Sequence, residues 1–331
     1  MTRIYPPSDH FQNGRFFNPG APEHGFKQLI KWVTNRKPGA WRENIPSTPG
    51  PKPVARVQGG ELRTTFIGHA TVLIQTEGLN LLTDPVFSER VSPLSFAGPR
   101  RHRAPGIRFE DLPPTDVLLI SHNHYDHLDL PTLKRLSALG QPAVFCPLGV
   151  AAILRRAGFS NVTELDWGQS QPWRQIEIHC VRAQHFSART PFDRNRTLWA
   201  GFVVAFDAGK VYFAGDSGFG PFFEAIGERF KPIRLAFLPI GAYRPEWFMG
   251  PVHMNPAEAT EVHQIVGAAT SVAIHYGTFS LADDSETEPV DALRHCLSQA
   301  KPSRPFLVLP EGQACSIPAL EETISDARLP R

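Results

Sequence analysis

The stretch that most constrains this chain covers residues 116–130 and reads DVLLISHNHYDHLDL. Residues 117–120 form a four-residue apolar run, the length and character of a buried strand. The chain leaves that run through Ser121, His122, Asn123, His124, Tyr125, Asp126 and His127. Two histidines at i and i+2 project to the same side of an extended backbone. An Asp-His pair two residues on can reach past them toward a second centre if the chain turns there. Neutral imidazole and carboxylate are the ligands that borderline divalent ions such as zinc prefer. One histidine near a strand end is ordinarily a polar loop residue. Three of them plus an aspartate in one tight loop concentrate desolvated polar groups and a charge, an arrangement that calls for a cation. The mixed His and Asp set suits two metals better than one.

The rest of the composition is that of an ordinary globular protein large enough to bury a sizeable core: 331 residues, 41% hydrophobic and 20% charged. A formal net charge of +2 is too small to argue for nucleic acid as a partner. Cys146, Cys180, Cys296 and Cys315 form no CxxC pair and sit in or beside apolar segments, so buried free thiols in a reducing compartment are expected. The first 20 residues carry no apolar signal region, and no run reaches the length of a transmembrane helix. A cytoplasmic protein is therefore expected, with peripheral membrane contact left open.

Residues 1–60 read as an irregular arm rich in Pro and Gly, with a hint of helix only near residues 26–33. Tyr5, Phe11, Phe16, Phe17, Phe26, Trp32 and Trp41 stud it. Disordered arms are poor in aromatics, so this one is expected to pack on the body or on something greasy. Residues 61–331 read as one catalytic domain. LRTTFIG, TVLIQTE and LNLLTDP are consecutive short strands, followed by a long loop over residues 86–106, then by alternating strands and helices. A second series, QIEIHCVRAQ, WAGFVVAFD, VYFAGD, LAFLPIG, SVAIHYG and PFLVLPEG, repeats the theme. The pattern predicts an α/β (α+β) fold of two packed sheets with helices outside.

Three later strands each end on a metal-capable residue: His185 after IEIHCVRAQ, Asp216 after VYFAG, and His275 after SVAI. Gly215 would let the backbone pass close to such a site. Any one of these alone would be a hydrogen-bonded loop residue; three of them added to the first loop are not so easily dismissed.

HNHYDH is the HxHxDH motif of the metallo-β-lactamase superfamily, and the chain resembles the hydrolase branch of it. FIGHATVLI, LTDPVFSERVSPLSFAGPRRHR, LPIGAYRPEWFMGPVHMNPAEA and AIHYGTFSLADD narrow the resemblance to the family of N-acyl-phosphatidylethanolamine-hydrolysing phospholipases D. It spans roughly residues 60–310, with a further family-like GRFFNP in the arm. The resemblance implies the four-layer αββα metallo-β-lactamase sandwich and two Zn2+ ions, with Fe or Mn as substitutes. It implies that His122, His124 and His185 hold one ion, that Asp126, His127 and His275 hold the other, and that Asp216 bridges them. Asp84 fits the carboxylate that orients a ligand imidazole, although an Asp before Pro85 is equally well a turn residue. His253 matches a position near the substrate and is a donor candidate for the leaving group; Asp126 and Asp216 would orient the attacking hydroxide.

The implied substrate is a phospholipid or other phosphodiester, cleaved on the head-group side of phosphorus. Two cations lower the pKa of a shared water and neutralise the non-bridging oxygens of an anionic ester. Lipid turnover needs a bilayer, and the 86–106 loop, with Val91, Leu94 and Phe96 beside Arg100, Arg101 and Arg103, has a composition that suits insertion as well as packing on the protein. Residues 247–249 would form another wall. A homodimer is left open. The ligands alone equally allow a soluble lactone, a β-lactam or a cyclic or nucleotide phosphodiester, and a non-catalytic metal-binding protein is the third alternative. A deep apolar channel would favour lipid; a small polar pocket would favour the soluble substrates.

Overall fold

The computed structural model describes residues 5–22, 24–300 and 303–320. The ends of the arm and of the domain expected from the sequence, residues 1–4 and 321–331, lie outside the described residues. The arm carries a two-residue hairpin, β1 (Phe11–Gln12) and β2 (Arg15–Phe16), and helix α1 (Phe26–Thr34). Asn13 and Gly14, both at positive φ, make the hairpin turn, as Asn-Gly pairs do.

The body is built on two seven-stranded sheets. In the first, β3 (Leu62–Gly68), β4 (Thr71–Thr76), β5 (Leu79–Thr83), β6 (Val117–Leu119), β7 (Ala143–Pro147) and β8 (Val162–Leu165) lie in chain order, with β16 (Ala314–Ile317) beside β3. The second runs β9 (Ser170–Trp173), β10 (Ile176–Val181), β11 (Gly201–Phe206), β12 (Gly209–Phe213), β13 (Ile233–Pro239), β14 (Ala268–Ile274) and β15 (Phe306–Leu307). Each sheet is antiparallel over its first members and turns parallel at β5–β6 and β12–β13. The parallel stretches carry helices between strands: α2 (Leu130–Leu139) and α3 (Ala151–Arg156) in the first half, α4 (Phe222–Phe230), α6 (Pro256–Ile265) and α7 (Glu288–Ala300) in the second. A short α5 (Glu246–Met249) precedes α6, which starts on an Asn255–Glu258 capping box with Pro256 at its first position.

Side-chain alternation assigns the layers. Phe66, Val72, Leu81, Val117, Leu119 and Phe145 face the second sheet, in one core with Ile178, Phe202, Val204 and Phe237. Their chain neighbours Ile67, Leu73, Leu82, Leu118 and Val144 face outward onto Leu133 and Leu136 of α2 and Leu154 of α3. Helix–sheet–sheet–helix is the arrangement expected from the sequence.

Several details differ. PFLVLPEG does not close the chain: only Phe306–Leu307 pairs, and β16 returns to the first sheet. The hairpin in the arm, β8 and β9 were not expected either. Of the four cysteines, all free, Cys146 and Cys180 are buried, whereas Cys296 and Cys315 are only partly so.

The arm makes specific contacts with the body. Phe11 and Phe16 pack with Ala183, Leu198 and Trp199. Arg36 pairs with Asp283 at 2.8 Å, the Trp41 indole N–H donates to the Asp284 carbonyl at 2.9 Å, and Arg42 pairs with Glu286.

Candidate metal centre

The metal-capable side chains leave neighbouring strand ends at one edge of the sandwich. His122 follows β6, His185 follows β10, Asp216 follows β12 and His275 follows β14, while Asp84 follows β5. The carboxyl ends of parallel strands are where α/β folds gather ligands. Gly215, at φ +63°, allows β12 to close on β6: a Cβ there would sit 2.7 Å from the Ser121 Cβ and 3.0 Å from the Ala200 carbonyl.

The first group is all imidazole. His122 Nε2 lies 2.8 Å and His185 Nε2 3.1 Å from His124 Nδ1. His185 Nδ1 donates to the Val252 carbonyl at 2.9 Å, which leaves its Nε2 lone pair facing the group. In the second group, Asp126 Oδ2 lies 3.4 Å from His127 Nε2 and 3.5 Å from His275 Nε2. Asp216 stands between the two groups: its Oδ2 is 3.0 Å from Nε2 of both His127 and His275 and 3.7 Å from Nε2 of His185.

Asp84 is placed behind this centre. It is fully buried at φ +30°, accepts the Ser121 N–H at 2.7 Å, and receives His127 Nδ1–H at 2.7 Å. It therefore orients an imidazole and forms no part of the cavity wall. His253 sits on the rim, with Nδ1 4.0 Å from Asp216 Oδ2. Every residue expected at the centre is brought together.

The site's charges are strongly coupled. Burial alone would raise the Asp216 and Asp126 carboxyls, but the positive field of the imidazoles close beside them holds both well below the usual carboxylate range. Burial likewise opposes charge on His127 and His275; the two carboxylates outweigh it, raising His127 well above its ordinary value and His275 to about 9. Burial pushes His122 and His185 well down and His124 and His253 to about 4.

Buried with no hydrogen-bond partner are His127 Nε2, both His275 ring nitrogens, Asp216 Oδ1 and His253 Nδ1. Orphaned polar atoms in one patch are costly unless something satisfies them. Imidazole nitrogens and carboxylate oxygens within 4.8 Å of one another, in overlapping groups, fit a borderline divalent cation.

Sequence reasoning missed two contributors. His69, in the β3–β4 turn, puts Nε2 2.9 Å from Asp126 Oδ2. Arg189 pins the metal loop by donating from Nη1 to the Asn123 and Leu128 carbonyls at 2.8 and 2.9 Å, with its guanidinium over the Tyr125 ring. The signal for His69 was a histidine between Gly68 and Ala70 in a strand-turn-strand pattern; nothing local marked Arg189.

A cavity of about 800 Å³ opens onto the centre. His124, Asp126, His185, Asp216 and His253 form one end, and apolar walls come from Leu29, Trp32, Val91, Phe186, Phe248 and Leu281. Helix α1 of the arm thus supplies part of the wall, through Trp32 stacked on Phe248 at 5.0 Å. The 86–106 loop is divided: Val86 and Val91 are buried against Phe279, while Leu94 and Phe96 are exposed. Its arginines divide, Arg100 remaining exposed while Arg101 and Arg103 turn toward the protein. Arg101 is buried and donates to the Val86 and Ser88 carbonyls, Arg103 pairs with Glu311, and Arg100 with Glu89.

The description "Beta-lactamase superfamily domain" matches residues 79–276, which include six of the seven converging ligands' strands and loops and the seventh, His275, at its end. The chain belongs to the β-lactamase superfamily. It is 38% identical over 309 residues to N-acyl-phosphatidylethanolamine-hydrolyzing phospholipase D 1 of Caenorhabditis elegans, covering 87% of this chain and 86% of that one. It is 35% identical over 236 residues to the mitochondrial N-acyl-phosphatidylethanolamine-hydrolyzing phospholipase D of Saccharomyces cerevisiae, covering 69% of this chain and 50% of that one. The fold matches Igni18, a metallo hydrolase from Ignicoccus hospitalis, with a TM-score of 0.58 at 22% identity, covering 78% of this chain and 99% of that one. Superfamily membership and the His/Asp cluster together support a metal-dependent hydrolase. Among the described residues, no helix is long and apolar enough to cross a membrane.

Proposed function

We propose that this protein is a dizinc phosphodiester hydrolase of the phospholipase D type, acting on N-acyl-phosphatidylethanolamine or related glycerophospholipids. The observation that carries this reading is the cavity: its size suits a lipid head group with part of its chains, and its walls are mainly apolar up to the carboxylate–imidazole end. A soluble lactone, β-lactam or nucleotide would have little use for such walls. The names of the two related phospholipases point the same way.

His122, His124 and His185 would hold one ion, Asp126, His127 and His275 the other, with Asp216 shared between them. Two zinc ions, when bound, lower the pKa of water and neutralise the phosphoryl oxygens; iron or manganese would supply related chemistry. The protein's own part is positional. Asp84 and Val252 fix the tautomers of His127 and His185, so lone pairs face inward. Asp126 and Asp216, held ionised, accept hydrogen bonds from water and set its direction. Burial keeps His253 neutral; the negative charge of an entering phosphodiester favours its protonation, placing a proton where the leaving oxygen departs. Hydrolysis on the head-group side forms a new P–O bond from water and breaks the bond to the ethanolamine oxygen, which leaves with a proton.

Exposed apolar residues stand next in the chain to the cavity lining: Phe192 after Pro191, Trp247 before Phe248 on α5, and Ile30 beside Leu29 on α1. With Lys31 over the Trp247 ring, this rim suits a bilayer surface. The decisive experiment incubates the purified protein with defined phospholipids and identifies products by mass. Phosphatidic acid and an N-acylethanolamine are expected. Diacylglycerol would overturn the D-type cleavage, and turnover confined to lactones, β-lactams or nucleotides would overturn the lipid reading.

A further inference from the structure

His69 sits in the tight turn between β3 and β4 at φ +56°, a conformation histidine adopts seldom. Its main chain serves His275, which itself stands at φ +61°: the His69 carbonyl accepts the His275 N–H at 2.7 Å, and the His69 N–H donates to Thr278 Oγ1 at 2.9 Å. Its side chain is buried between the His275 ring, 4.1 Å away between centroids, and the edge of Phe279 at 5.2 Å.

Only one polar atom of that ring has a partner. Nδ1 is buried and unpartnered, while Nε2 lies 2.9 Å from Asp126 Oδ2, closer than either His127 or His275 approaches the same oxygen. A carboxylate can only accept, so the hydrogen between them belongs to Nε2. We infer that His69 is a positioning residue, which fixes the Asp126 carboxylate through its Nε2–H donor so that it faces the second ion. The inference rests on the dinuclear reading above. It is the mirror of the Asp84–His127 arrangement: there a carboxylate orients an imidazole, here an imidazole orients a carboxylate. Asp126 comes from a loop and needs such a restraint.

The test separates reach from ring. His69→Asn tolerates the positive φ but is too short to reach Asp126, whereas the amide of His69→Gln can stand where Nε2 stood. Zinc content per chain and competition with a chelator are measured for the parent and both variants, with the thermal midpoint of each metal-free chain alongside. The expected result is two ions in the parent, a 10–100-fold weaker hold on one of them in His69→Asn with the other unchanged, and recovery in His69→Gln. Both ions held in His69→Asn as in the parent would overturn the role of His69 and leave the metal reading standing. Equal loss in both variants would overturn it in favour of ring packing. A parent that takes up no ion would refute the metal reading itself. Independently of any variant, nitrogen NMR of the zinc-loaded parent should place the His69 proton on Nε2; finding it on Nδ1 would overturn the inference.

Discussion

Asp84 Oδ2 and His127 Nδ1 lie 2.7 Å apart, both fully buried, with Ser121 bonded to the same carboxylate. The pair fixes which nitrogen of His127 faces the centre. Asp84→Asn keeps a residue that tolerates φ +30° but removes the charge and half of the accepting capacity. The variant should fold and hold its metal 10–100-fold less tightly. Chelator competition measures this; unchanged affinity would mean that Asp84 is no more than a turn residue before Pro85.

Asp216 touches both groups of ligands, so it should matter for turnover more than for folding. Asp216→Asn is expected to lower kcat by about 10²–10³-fold or more while leaving the circular dichroism spectrum unchanged. Near-normal turnover would count against a shared carboxylate.

The arm is fastened by a titratable contact. His10 stacks on Trp167 at 4.5 Å and bonds to Asp166 at 2.8 Å and Asp9 at 2.6 Å. Burial opposes its charge, but the two carboxylates outweigh burial and raise its pKa above 6.5. A raised folded-state value means that the stabilisation is complete below the ordinary histidine pKa and is lost as pH rises through the raised one. Limited proteolysis of the arm should therefore quicken on going from pH 6 to pH 8, and Asp166→Asn should flatten that dependence. A pH-independent rate in the parent would refute the contact's role.

What the sequence disclosed and what it hid follow one physical division. Central strands are continuous apolar runs because both faces are covered, so residues 117–120 and SVAI were legible. The unexpected strands are edges: β8 and β16 flank the first sheet and β9 the second. VTEL, SQPW and ACSI are half exposed, and Pro172 is tolerable only at an edge. The ligands were legible because they cluster in one loop or terminate strands. His69 escaped because its role is set by a turn conformation and a partner 57 residues away. Part of the cavity wall was legible, since Phe248 and Met249 of the 247–249 stretch line it; the contribution of α1 escaped because Trp32 meets Phe248 only in three dimensions.

Helix α1 leaves Leu29, Ile30 and Val33 exposed at 41%, 47% and 57% beside the cavity mouth. Replacing Ile30 and Val33 by Ser, with the cavity-lining Leu29 kept, removes apolar area that a bilayer would bury, at about 25 cal/mol per Å². Sedimentation with anionic vesicles should weaken about tenfold or more, while hydrolysis of a short-chain, water-soluble phosphodiester stays at the parent rate. Equal vesicle binding would place the membrane contact elsewhere.

Arg234 shows how the two sheets are tied at the edge remote from chemistry. It is buried, and its guanidinium donates to four carbonyls: Nη1 to Gly60 and Ala208 at 2.8 and 2.9 Å, Nη2 to Ile317 at 2.7 Å, and Nε to Pro318 at 2.9 Å. These join the entry to β3 and the end of β16, which pair in the first sheet, to the β11–β12 turn of the second. Arg234→Met preserves most of the packing volume but leaves the four carbonyls without their donor. A destabilisation of about 1–3 kcal/mol is expected, most of it from the buried Ile317 carbonyl, since Gly60 and Pro318 are exposed and water reaches them. Arg234→Lys, with one nitrogen in place of a planar fork, should recover only part of it. Denaturant unfolding of the metal-loaded chain measures both, and kcat at low temperature should not move, since the fork lies on no path to the cavity. A Met variant as stable as the parent would show that water satisfies those carbonyls equally well.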